Sequence, residues 1–289
     1  MKKIIAICFL LVVGFYTKAQ ETTEYKKVAY PTGYTEQLNV VYTTPKNWEG
    51  KMDIYMPPKE KGLSPVVINI HGGGWNKGVK ESQTGFSSFF KKGYAVANIS
   101  YRLSQVATAP AAVEDTRCAL IYLIKNAKAL NIDVNRIVIM GGSAGGHLAL
   151  MGGLLGNDTK FDTNCAGLKE VKVAAIIDKY GITDVGAWPS KSAVMWLGSY
   201  PRESAFAKSV SPIYQIKKDS PPVFIVHGNA DPVVSYQQSV DFKKKLDEMG
   251  IKNEFITVEG GEHGKFPAEK NSEVNAQIME FLKGLGIHK

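Results

Sequence analysis

Short apolar runs rich in β-branched residues recur along this chain, separated by longer stretches in which apolar positions return every three or four residues. Residues 66–70 (VVINI), 94–100, 136–140 (RIVIM), 173–177, 223–226 (VFIV) and 255–258 (FITV) are of the first kind. That is the pattern of strands covered on both faces. Residues 38–42 and 51–56 add an earlier pair of strands, for which antiparallel pairing is the expectation. Residues 111–130, 144–155, 235–249 and 271–285 are of the second kind. In the first of these Ala112, Ala119, Leu120, Leu123 and Ile124 fall near helical spacing, and Gly250 stops the third where glycine is favoured. The alternation predicts an α/β fold: a mostly parallel eight-stranded sheet with helices on both faces. Ligands of such sheets bind beyond the carboxyl ends of the strands. Between Tyr180 and Pro222 the rhythm breaks, and this stretch is expected to be a small insertion after the sixth strand, lying over that edge.

Composition changes the picture at the N-terminus. Met1, Lys2 and Lys3 precede an apolar run ending near Thr17, Lys18 and Ala19. This is the make-up of a secretory signal with cleavage after Ala19, too short for a stable span. The expectation is an exported protein, periplasmic or secreted, with residues 20–289 forming one catalytic domain. Removing Lys2, Lys3 and Lys18 takes the formal charge from +8 to +5. The remaining lysines are dispersed, without the basic stripe of a nucleic-acid binder. Of three cysteines, Cys118 and Cys165 remain in the mature chain. They could pair in an oxidising compartment, although Cys118 also fits a small core residue of a helix. No Cys/His cluster has zinc spacing, and neither a metal nor another cofactor is expected.

Candidate chemistry sits at the strand ends. Gly141-Gly142-Ser143-Ala144-Gly145 follows the strand at 136–140 and opens a helix, the G-x-S-x-G pattern of a nucleophile elbow. A serine in so sharp a turn is exposed only if the residues flanking it two positions away are tiny. His71-Gly72-Gly73-Gly74-Trp75 follows the strand at 66–70. Its glycines let backbone amides approach a developing oxyanion, so Gly73, Gly74 and the N–H of Ala144 are the expected donors. His71 is read as shaping that loop. Asp231, in a turn after the strand at 223–226, and His263, flanked by Gly261 and Gly264, complete the chain order Ser, acid, His. Asp178 and Asp184 are rival acids. His147 and His227 are read as packing or supporting groups. Trp75, Trp188 and Trp196 are candidate apolar platforms beside the serine, or ordinary buried aromatics.

The segments HGGGW (71–75), SYRL (100–103), GGSAGGHLA (141–149), YGITD (180–184), HGNADPVV (227–234) and GEHG (261–264) together resemble the α/β-hydrolase carboxylesterases. They are similar to hormone-sensitive-lipase-like esterases and to bacterial feruloyl and acetyl-xylan esterases. The short stretch before Leu38 leaves little room for the N-terminal cap of the lipase-like group, which favours the polysaccharide esterases. The resemblance implies a cofactor-free serine esterase acting on carbohydrate-linked acetyl or feruloyl esters. A general short-chain carboxylesterase, an arylformamidase-like amide hydrolase and a non-catalytic carbohydrate-binding protein on the same scaffold are the alternatives.

Overall fold

A computed structural model describes residues 24–165 and 167–288. The expected signal segment, residues 1–19, lies outside the described residues. The strands β1 (Thr35–Thr43), β2 (Gly50–Met56), β3 (Ser64–Ile70), β4 (Ala95–Ile99), β5 (Ile132–Gly142), β6 (Ala175–Lys179), β7 (Val223–Gly228) and β8 (Asn253–Val258) form one sheet. Their order is β1-β2-β4-β3-β5-β6-β7-β8. The pairs β1/β2 and β2/β4 are antiparallel, and every later pair is parallel. All six parallel strands therefore end at one rim.

Helices cover both faces, as the alternation predicts. They are α1 (Ser87–Lys91), α2 (Ala111–Lys125), α3 (Ala127–Leu130), α4 (Ala144–Leu154), α5 (Lys191–Leu197), α6 (Ala205–Ser209), α7 (Gln237–Glu248) and α8 (Ala268–Gly284). Side chains alternate across each strand, so β3 sends Val66, Ile68 and Ile70 into one core with α2, α4 and α7. Val67 goes to a second core under α1 and α8, with Phe89, Phe90, Ile278 and Phe281. Asn69 lies on that second face and donates its amide to Asn98 at 2.9 Å.

Several elements depart from the sequence reading. The helix expected over 111–130 divides at Asn126, whose side-chain amide turns back to the Tyr122 carbonyl. The sixth strand runs to Lys179, two residues past its apolar stretch, so it carries Asp178 and Lys179 to the rim. α1 is too short to show a periodicity and was not anticipated. The insertion after β6 holds α5 and α6 and no strand among its described residues.

Cys118 of α2 and Cys165 are joined by a disulfide. Beside it the buried Arg117 guanidinium pairs with both oxygens of Asp162 at 2.8 Å. Covalent and ionic links thus pin the chain after α4 onto α2. No helix among the described residues is long and apolar enough to cross a membrane.

Candidate active site

Ser143 sits between β5 and α4 with φ 57° and ψ −124°, a conformation L-residues adopt only under constraint. Glycines supply the constraint. A Cβ on Gly141 would lie 2.2 Å from the Gly145 carbonyl oxygen, and one on Gly145 would lie 2.1 Å from that of Ile70. The turn is therefore packed backbone against backbone. The Ser143 N–H donates to the Lys179 carbonyl at 2.9 Å, fastening the elbow to β6.

The loops after β7 and β8 bring the other two groups in. Ser143 Oγ lies 2.8 Å from His263 Nε2, and His263 Nδ1 donates to Asp231 Oδ2 at 2.6 Å. The other Asp231 oxygen accepts the N–H groups of Val233 (2.7 Å) and Val234 (2.9 Å). Burial pushes the Asp231 carboxyl up. Hydrogen bonds from His227, His263 and those two amides outweigh it and hold the group well below the usual carboxylate range. A permanently ionised Asp231 fixes the tautomer that leaves Nε2 free to accept the serine proton.

Sequence reasoning reads His227 as a packing or supporting group, and the structure shows what it supports. Its Nε2–H is shared between Asp231 Oδ2 and the Val234 carbonyl, both at 3.1 Å. Ser239 meets its Nδ1 at 2.7 Å. Tyr180 was also missed. Its ring stands edge-on to His263 at 4.9 Å between centroids, and a Cβ on Gly142 or Gly264 would strike its hydroxyl. Gln238 of α7 accepts the N–H groups of Thr183 and Asp184, rooting the insertion where it leaves β6. A distant glutamine and a distant serine on one helix carry no motif, so only coordinates reveal these braces.

Of the rival acids, Asp184 bonds the Tyr214 hydroxyl on the surface. Asp178 lies under the elbow, where Gly146 and Gly181 leave room for its carboxyl. It is fully buried, and neither oxygen has a well-formed hydrogen bond. Burial raises its pKa from 3.8 to about 7, against a smaller opposing effect of the Gly181 N–H. The unfolded chain ionises at the lower value, so this group subtracts stability as the pH climbs from about 4 to about 7. Asp178→Asn stays neutral throughout. Thermal melts at pH 4.5, 6 and 8 are expected to show the variant gaining on the wild type at each step.

The HGGGW loop flanks the serine. Among the described residues the N–H groups of Gly73, Gly74 and Ala144 donate to no protein acceptor. That leaves them available where α4 begins and negative charge is favoured. His71 is buried, donates to the Gly72 carbonyl at 2.7 Å and stacks on Tyr101, which fixes the loop as expected. His147 is held neutral, its pKa lowered to about 4 by burial. It accepts from Trp75 Nε1 and donates to the Val210 carbonyl.

The tryptophans require a correction. Trp75 and Trp196 are fully buried and stack on one another at 4.5 Å, so neither is a platform beside the serine. Large apolar rings beneath a loop are worth more in the core than in solvent. Trp188 alone reaches the cleft, its indole N–H bonded to the Val233 carbonyl at 2.9 Å. The cleft measures about 780 Å³ and is lined by the glycine loop, the elbow, His263, Trp188, Ser190 and Ser192, among others. No group of His, Cys, Asp and Glu among the described residues could hold a metal ion.

The BD-FAE family pattern matches residues 52–246. The chain belongs to the BD-FAE family of α/β-hydrolases. Among curated relatives, the esterase LipQ of Mycobacterium tuberculosis is 28% identical over 75% of this chain and 54% of its own length. The carboxylic ester hydrolase LipM of the same organism, a probable assignment, is 31% identical over 65% of this chain and 46% of its own length. The chain thus spans about half the length of these curated relatives. A solved truncated carbohydrate esterase from gut microbiota is 30% identical with a TM-score of 0.77, covering 90% of this chain and 99% of that one. An acetyl ester-xyloside bifunctional hydrolase of Caldicellulosiruptor lactoaceticus shares the fold at 23% identity and a TM-score of 0.76, over 89% of this chain and 98% of that one. The BD-FAE match covers the elbow, the glycine loop and Asp231, and stops before His263.

Proposed function

We propose that this BD-FAE protein is a secreted serine carboxylic-ester hydrolase that removes acetyl or feruloyl groups from plant polysaccharides or oligosaccharides. The observation that carries the reading is the unbroken chain of hydrogen bonds from Ser143 through His263 to Asp231. Beside it stand amides that donate to no protein acceptor among the described residues. His263 takes the Ser143 proton as Oγ attacks the ester carbonyl, and the imidazolium so formed is stabilised by Asp231. The tetrahedral oxygen rests on Gly73, Gly74 and Ala144. His263 then protonates the departing alcohol, and water releases the acyl group by the same steps in reverse. Each lost oxyanion donor typically costs about 100- to 1000-fold in turnover.

The carbohydrate part of the reading is supported by the similarity to the gut carbohydrate esterase across nearly its whole length. Export is supported by the N-terminal composition and by the Cys118–Cys165 disulfide, a bond that persists in oxidising compartments.

A substrate panel tests the proposal. Acetylated xylan, methyl ferulate and p-nitrophenyl acetate are compared with the same purified protein. Release of acetate or ferulate from the first two supports the reading, and cleavage of the nitrophenyl ester alone makes the protein a general esterase. Failure of a fluorophosphonate probe to label Ser143 would instead favour a binding protein on a hydrolase scaffold.

A further inference from the structure

Neighbouring residues at the end of β6 point to opposite faces of the sheet. Asp178 goes under α4, while Lys179 goes to the face of β3 and β5 that bears Asn69 and Met140. There it lines the cleft, as do Gln83, Trp188, Ser190 and Ser192. Its own carbonyl holds the Ser143 N–H, so its side chain leaves the backbone directly beside the nucleophile. The lysine is half-buried. Among the described residues it makes no ion pair or side-chain hydrogen bond, in contrast to Lys80 on the same face, which is neutralised by Asp53 at 2.8 Å.

The rest of the cleft supplies no counter-charge. Its lysines among the described residues are Lys179 and the exposed Lys77, and no aspartate or glutamate side chain lines it. Asp231 is enclosed behind His263 and saturated with four donors. A low-dielectric groove carrying one sign of charge concentrates ligands of the other. Burial lowers the Lys179 pKa to about 8, which shows the strain of a desolvated cation without a partner. An incoming anion relieves that strain, and a neutral group does not.

We propose that Lys179 is a specificity-determining residue that binds a carboxylate carried by the substrate, so that the favoured substrates are acidic esters. This rests on the esterase reading, in which the carboxylate belongs either to a uronic-acid sugar bearing the ester or to the acyl group itself. The polar residues Asn69 and Gln83 line the same cleft and carry no charge that would neutralise the ammonium. Trp188 then offers an apolar surface and Lys179 a charge.

Matched pairs that differ at one carbon, a carboxylate against a hydroxymethyl or methyl group, test the assignment. One pair is the acetyl ester of methyl galacturonoside against that of methyl galactoside. The other is mono-p-nitrophenyl succinate against p-nitrophenyl butanoate. The wild type is expected to favour the acid of at least one pair by about tenfold or more in kcat/KM, equivalent to about 1.4 kcal/mol, and the responding pair identifies where the carboxylate sits. In Lys179→Met, which keeps the methylene bulk, the acid-to-neutral ratio is expected to fall to about one or below, and Lys179→Arg is expected to restore part of it. A general loss of fold or of turnover lowers both members of a pair and leaves the ratio unmoved. Equal rates within both pairs, or a preference that survives in Lys179→Met, would overturn the proposal. Calorimetric binding of galacturonate against galactose to Ser143→Ala, with and without Lys179→Met, gives the same comparison without turnover. A protein that binds galacturonate through Lys179 but cleaves no ester would sink the esterase reading and leave the anion site standing.

Discussion

Ser143→Ala is expected to lower kcat for a nitrophenyl ester by about 10⁶-fold, to the level set by binding and the oxyanion donors alone. The circular dichroism spectrum and melting temperature should stay near those of the wild type, since among the described residues Oγ bonds only His263. Asp231→Asn is expected to cost about 10⁴-fold, because an amide favours the wrong imidazole tautomer and cannot stabilise its charge. Asp184→Asn, on the surface against Tyr214, should stay within about twofold of wild type, a surface change remote from the reacting atoms. Steady-state kinetics on the three variants ranks the carboxylates directly. An Asp184 variant as impaired as Asp231→Asn would refute the assignment of the acid.

Gly145→Ala should be among the most damaging single-methyl changes in the molecule. The added carbon would sit 2.1 Å from the Ile70 carbonyl oxygen and 2.7 Å from that of His71. Both are backbone atoms at the end of a central strand, so no side-chain rotation relieves the overlap. Either α4 lifts off β3 or the elbow deforms. The expected loss is more than about 3 kcal/mol, seen as a melting temperature lower by about 10 °C or as insoluble protein. Gly85→Ala, whose Cβ meets nothing within 4 Å, is the control and should melt within about 1 °C of wild type.

Legibility in the sequence followed the physical origin of each feature. Strands β3, β5 and β7 announce themselves because both faces are apolar, and the serine and histidine announce themselves because tiny residues crowd around them. The end of β6 was hidden because Asp178 and Lys179 carry charges into a strand. The Cys118–Cys165 bond was open because spacing alone does not say which loops meet. The tryptophans were open for a related reason: an indole directly after a glycine loop can turn toward solvent or beneath the loop, and Trp75 turns beneath. His227, Ser239 and Gln238 act through contacts between distant segments, and no local pattern encodes those.

The stretch between β6 and β7 lends the cleft Trp188, Ser190 and Ser192 but none of the three residues of the proton relay. It is tied to the scaffold at its root through Gln238 and further along through Trp188, Trp196 and Val210. Selection can therefore rewrite this module and change which esters are accepted while the reaction chemistry is inherited intact. Grafting the corresponding stretch from another member of the family is accordingly a route to new substrate preference on an unaltered engine.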